Sequence, residues 1–193
     1  MKKYLLTVVA LMTLTVAGYA QTKDDIQQSE KRALELKKLM EGQPKECGIA
    51  EIDNYAKSIN AAAILAVENS DQLSDFYYRQ IGETKDGVTD VTIKKPEIGD
   101  WVKLGTTIAG ETVSIASAKE NAEAAAKKIK DLEEEVKNEK NPMKKAKIAK
   151  SAKSAAAIIA YGKDALPIIV EESAAQGKAV KRIIDTVKSG KNL

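Results

Sequence analysis

Long amphipathic stretches alternate with short breaks along this chain, a pattern typical of helical bundles. The first stretch predicts a helix that ends near Glu41, because Gly42 stops it and Pro44 opens the next turn. The second stretch predicts a helix from about Lys45 to Ile81. Its apolar and small positions alternate steps of three and four residues, the spacing of a coiled-coil-like seam: Ile49, Ile52, Ala56, Ile59, Ala63, Ala66, Ser70, Leu73 and Tyr77.

The pattern breaks between residues 82 and 95, where Asp86-Gly87 is a turn signal. We expect a loop or a small hairpin there. It either caps the bundle end or, as long loops often do, carries function.

The second half of the chain predicts two further helices that meet at a sharp turn. Pro96 can open a helix that runs to about Lys140, and Asn141-Pro142 then supplies a helix cap and a first-turn proline. The fourth helix ends near Ser189-Gly190. Pro167 lies inside it and predicts a kink near that residue, or two helices on one axis. The stripe that we expect the fourth helix to bury contains Ala149, Ala152, Ala156, Ile159, Leu166, Val170, Ser173, Gly177, Val180, Ile184 and Val187.

These elements predict an all-α fold, an elongated antiparallel bundle of about four helices built from two helical hairpins. The composition agrees, since aromatic residues make up only 4% of the chain and a β-sandwich would need many more. After an N-terminal targeting segment, residues 21–193 are expected to form a single domain.

The N-terminus carries the pattern of a cleavable secretory signal peptide, residues 1–20. Lys2 and Lys3 precede an apolar run from about Tyr4 to Val16, which is too short for a transmembrane span. Small residues in Gly18-Tyr19-Ala20 predict cleavage before Gln21. We therefore expect an exported protein, periplasmic or secreted in a bacterium. The alternative is an uncleaved anchor helix.

Removal of this segment changes the charge balance. The net charge of +3 includes the two lysines of the signal peptide, so the exported chain would carry only +1. A chain with so little net charge gives no support for general attraction to nucleic acid.

The residue types that are missing limit the chemistry of the chain. It contains no histidine, which removes the usual general base and metal ligand. The one cysteine, Cys47, cannot form an internal disulfide; it can pack as a small apolar residue or pair with another chain. We therefore expect neither an enzyme nor a bound cofactor or metal. Acid pairs such as Glu171-Glu172 point to different helix faces and predict no shared site.

Aromatic residues concentrate beside the 82–95 break. Phe76, Tyr77 and Tyr78 end the second helix, and Trp101 begins the third. An antiparallel arrangement would bring them together. They either plug the end of the bundle, where large rings fill what alanine cannot, or form an interaction surface for a partner.

Lysines concentrate just after the Asn141-Pro142 turn, with no acid between Lys140 and Lys153. Lys144, Lys147, Lys150 and Lys153 predict a basic stripe, called here the lysine stripe. It either binds anionic lipid, lipopolysaccharide or an acidic partner, or is a solvated face balanced by the acids at 131–135.

The sequence thus favours an exported, non-enzymatic helical bundle that acts through protein or envelope-surface interactions. The alternative is a membrane-active protein or a holdase-like periplasmic chaperone. The expected partner is a protein or an envelope component rather than nucleic acid, and contact with a membrane surface is compatible with the pattern.

Overall fold

A computed structural model describes residues 22–84, 92–191 and 193. These residues form a four-helix bundle without strands, which confirms the all-α prediction. The predicted signal peptide and its cleavage site lie outside the described residues, as do residues 85–91 of the predicted loop. The helices are α1 (Thr22–Glu41), α2 (Ala50–Ile81), α3 (Ile98–Asn138) and α4 (Pro142–Lys188).

The described residues divide into two compact units, and each helix contributes to both. The first unit contains residues 22–35, 65–84, 92–112, 170–191 and 193. The second contains residues 36–64 and 113–169.

Cross-helix contacts in the first unit arrange its four helix segments so that neighbours run antiparallel. Residue numbers rise along one helix as they fall along the next. The contact pairs are Ser29 with Ser70 and Lys23 with Glu83 for α1 and α2; Asn69 with Glu111 and Phe76 with Trp101 for α2 and α3; Gly105 with Val180 and Ile108 with Gly177 for α3 and α4; and Asp25 with Arg182 and Arg32 with Glu172 for α4 and α1.

The apolar core of the first unit is built around Trp101, which is completely buried. Side chains from all four helices surround it: Ile26, Leu73, Tyr77, Tyr78, Leu104, Ile108, Ala179, Val180 and Ile183. Burying these side chains stabilises the fold, because each Å² of apolar surface removed from water contributes about 25 cal/mol of free energy.

Helix ends follow the capping chemistry that the sequence predicts, with one shift. The Asn141 side chain accepts hydrogen bonds from the backbone N–H groups of Met143 (3.0 Å) and Lys144 (3.2 Å), as a helix cap does. The second helix begins at Ala50 rather than near Lys45. Asp53 accepts hydrogen bonds from the backbone of Cys47 and of Gly48, whose φ is +78°, and this holds the preceding residues in a turn.

The buried face of α4 differs from the predicted stripe near the helix start. Ala149 and Ala156 are exposed, whereas Ala155 and Ile158 are buried. Alanine occupies so many consecutive positions here that it does not fix the phase of the helix, and the large isoleucine does. The helix passes through Pro167 as a single element, so two separate helices are excluded, and the kink stays a prediction.

Candidate functional site

Eight polar side chains meet inside the first unit, away from the aromatic rings. Glu111, Glu172 and Gln176 are fully buried, and the others are buried or half-buried. We call this group the polar cluster: Ser29, Arg32, Asn69, Ser70, Glu111, Glu172, Ser173 and Gln176. Because a buried polar group without a partner is costly, its hydrogen bonds decide what the cluster can do.

Glu172 has partners for both of its carboxylate oxygens. Arg32 Nε donates to Oε2 at 2.5 Å, and the same guanidinium reaches the exposed Glu171 through Nη1 at 3.4 Å. Gln176 Nε2 donates to Oε1 at 2.7 Å. Ser29 Oγ also donates to Oε1. A carboxylate held by a guanidinium and two further donors is well suited to keep its negative charge.

Because Ser29 and Gln176 donate to Glu172, the direction of their other hydrogen bonds is fixed. Since the Ser29 hydroxyl proton is used on Glu172, Ser70 must donate in the 2.7 Å hydrogen bond between the two serines. The second proton of Gln176 Nε2 goes to the backbone carbonyl of Ala66 at 2.8 Å. Both amide protons of Gln176 are therefore committed, which sets the orientation of its side chain and leaves Oε1 as an acceptor.

Glu111 lies at the same level of the bundle and has no cation. Asn69 Nδ2 donates to its Oε2 at 3.1 Å, and the nearby Ser173 side chain lowers the pKa of the carboxyl. The other oxygen, Oε1, is buried without a hydrogen-bond partner. Gln176 Oε1 is likewise a buried acceptor without a donor.

Burial raises the pKa of both carboxyls, and different hydrogen bonds and charges oppose this effect at each one. It raises the pKa of Glu111 to about 7, opposed by the hydrogen bond from Asn69 and reinforced by the nearby charge of Glu172. Burial also raises the pKa of Glu172, opposed by Ser29, Arg32 and Gln176. The guanidinium beside Glu172 is the reason that we place the charge there and the proton on Glu111.

Metal chemistry finds no support in the described part of the chain. No group of three or more His, Cys, Asp or Glu side chains there is arranged to hold a metal ion. What the polar cluster can do is hold a proton, hold one buried ion pair, and fix the register of four helices against one another.

Sequence reasoning missed the polar cluster because it treated charged residues as solvent-facing. It rejected Glu171-Glu172 as a pair, and the structure does point these neighbours apart, with Glu171 exposed and Glu172 buried. The partner of Glu172 is instead on another helix. A usable signal was present: Glu111 lies three residues after Ile108 and four before Ile115, in the middle of the apolar stripe of α3.

Three of the four aromatic residues, expected either to plug the bundle end or to form an interaction surface, are buried. Trp101, Tyr77 and Tyr78 are buried, and Phe76 is half-buried with its ring edge-on to Trp101 at 5.4 Å between centroids. The Arg79 guanidinium covers the Phe76 ring at 5.1 Å. The rings pack among large aliphatic side chains from all four helices and form part of the core of the first unit.

The lysine stripe lies in the second unit, at the start of α4. Lys144, Lys147, Lys150 and Lys153 are all exposed. They take part in no ion pair among the described residues, so the acids at 131–135 do not bond them across the turn. Met143, beside the stripe, exposes 85% of its surface. A shallow groove at the same turn is lined by Glu135, Asn138, Glu139, Lys140 and Ile148.

Cys47 is half-buried in the turn before α2, and its thiol is free. Burial raises the pKa of the thiol, which lowers the fraction of reactive thiolate at neutral pH. Both predicted roles, packing and pairing with another chain, stay open.

Comparison of the chain with protein-family models, curated proteins and solved structures gave no match. Within the described residues, no helix combines the length and apolar character needed to cross a membrane.

Proposed function

We propose that this protein is an exported, non-enzymatic helical bundle that binds an anionic, phosphate-bearing envelope surface through the lysine stripe. The observation that carries the proposal is the concentration of these four exposed lysines, none of them in an ion pair among the described residues, within ten residues of α4. No acid lies between Lys140 and Lys153, so this segment of α4 presents positive charge alone.

The chemistry of the stripe suits such a surface. The four lysines cover nine residue steps of helix, about 13 Å at 1.5 Å per residue. Each lysine near an anionic membrane surface contributes about 1 kcal/mol of binding free energy. The exposed thioether of Met143 lies beside them and is the kind of apolar group that enters the headgroup region of a bilayer.

The aromatic residues support this choice by elimination. Three of the four rings that the sequence offered for apolar recognition are buried in the first unit. Recognition through charge at the start of α4 therefore needs no rearrangement, whereas recognition through Trp101 would require opening a core.

Co-sedimentation with lipid vesicles tests the proposal. We expect the protein to bind phosphatidylcholine vesicles that contain phosphatidylglycerol, and to release them at high salt because the charges are screened. Replacing Lys144, Lys147, Lys150 and Lys153 by glutamine should weaken binding roughly 10²- to 10³-fold.

A variant of equal net charge provides the control. Lys119, Lys127, Lys130 and Lys163 are also exposed in the second unit and form no ion pair among the described residues. Their replacement by glutamine should leave most of the binding intact. Absence of binding at low salt, or equal losses in the two variants, would overturn the proposal.

A further inference from the structure

We propose that Glu111 is a buried proton-binding site, and that the first unit packs around its neutral carboxyl and loosens when the proton leaves. This proposal is independent of the lysine stripe, which belongs to the second unit. It rests on the burial of Glu111 and on its hydrogen-bond partners. It also rests on two buried oxygens, Glu111 Oε1 and Gln176 Oε1, that are both acceptors without a donor unless Glu111 is protonated.

Burial comes first, because it sets the cost of a charge at this position. Glu111 has no exposed surface, and none of its partners is a cation. A carboxylate without a cation in such a place is strongly disfavoured relative to the neutral acid. In agreement with this, the pKa of Glu111 is raised to about 7 by burial.

The hydrogen bonds give the second argument. An ionised Glu111 would leave Oε1 as a buried acceptor facing no donor, and Gln176 Oε1 is also an acceptor without a donor. A proton on Glu111 Oε1 converts that atom into a donor. The cluster then holds one unpaired donor and one unpaired acceptor in place of two unpaired acceptors.

The antiparallel register of α3 and α4 places these two atoms at one level of the bundle. Glu111 interacts with Ser173, and Ile108, one turn earlier on α3, contacts the position of Gly177, one turn later on α4. Gln176 falls between those levels. It also bonds the backbone of Ala66, one turn from Asn69, which bonds Glu111.

The charged groups around Glu111 explain why it holds the proton in preference to its neighbour. From α4 it faces Glu172, whose negative charge disfavours a second one. From α1 the charged group of the cluster is Arg32, already engaged with Glu172. From α2 it meets only the uncharged amide of Asn69. Arg32 therefore neutralises Glu172, and a proton neutralises Glu111.

The direction of the pH effect follows from the two states. In the unfolded chain Glu111 releases its proton near its ordinary value of 4.5, and in the folded protein near 7. The folded state therefore binds more protons between these values. Stability is greatest at the acidic end of this interval, falls as pH rises through it, and levels off above about 7.

Chemical denaturation at several pH values tests the proposal. The folding constant of the wild-type protein should fall about 40-fold in all between pH 5 and 7, relative to that of a Glu111→Gln variant. Glutamine keeps a donor and an acceptor but has no proton to lose. Glu68→Gln, which removes an exposed carboxyl from the same unit, should retain the wild-type slope. Equal slopes for wild type and Glu111→Gln would overturn the proposal.

A second measurement decides the matter if Glu111→Gln does not fold. The carboxyl carbon of Glu111 in ¹³C-labelled wild-type protein should titrate by NMR near pH 7, and a midpoint near 4.5 would refute the assignment. At pH 8 and equal ionic strength, NaCl, KCl and CaCl₂ should stabilise the wild-type protein to the same extent. If one cation restores stability more than the others do, a metal ion rather than a proton binds these oxygens, and the proposal is overturned.

Discussion

Arg32 donates through Nε to Glu172 at 2.5 Å, within the first unit, where Glu172 has no exposed surface and Arg32 only a little. This pair joins the first helix to the last across 140 residues of chain. Its stabilising effect depends on both partners being present, since either charge alone would be left in the interior.

Replacing Arg32 by methionine should destabilise the protein by about 3 kcal/mol at pH 7, because Glu172 loses its cation and stays buried. Urea unfolding followed by circular dichroism measures this change. The double variant Arg32→Met with Glu172→Gln should recover much of the loss. If the single and double variants are equally unstable, the pair acts through packing rather than charge.

Gly162 lies directly against the ring of Tyr55 in the second unit, and a Cβ at this position would overlap the phenol. Gly162→Ala should therefore destabilise the protein by about 1–3 kcal/mol, the usual effect of overpacking. Gly110→Ala is the matched control, since nothing lies within 4 Å of a Cβ there. It should stabilise α3 by up to about 1 kcal/mol through helix propensity. Thermal denaturation of the two variants should shift in opposite directions, and a shift in the same direction would contradict the close approach.

Trp101 is the only tryptophan of the chain, so its fluorescence reports on one position. Complete burial predicts a blue-shifted emission that acrylamide quenches weakly, both in the free protein and with vesicles present. The urea-unfolded protein supplies the exposed reference. If the native protein gave the emission and quenching of the unfolded chain, Trp101 would be exposed and its burial would be contradicted.

Local signals in the sequence were sufficient for the helices and insufficient for the polar cluster. Gly42 and Asn141-Pro142 predict helix ends because turn and cap chemistry is local, and both ends are where they were expected. The start of α2 was wrong because Asp53 bonds backward to Cys47 and Gly48, which a periodic pattern does not reveal. The phase of α4 was wrong near Ala155 because consecutive alanines define no preferred face.

Glu111 and Glu172 show a different limit. Each belongs to an apolar stripe by its spacing, but a carboxylate is placed in the interior only if other helices supply its partners. Those partners are Asn69 for the one, and Arg32 and Ser29 for the other. Because they lie far apart in sequence, only the packed helices reveal the cluster.

The most direct test of the account is a map of lysine reactivity in the presence and absence of phosphatidylglycerol vesicles. Acetylation of exposed lysines, read by mass spectrometry, reports which side chains the surface covers. We predict that Lys144, Lys147, Lys150 and Lys153 become protected while Lys119, Lys127, Lys130 and Lys163 stay reactive. Uniform protection of both groups, or no protection of the first, would contradict binding through the lysine stripe.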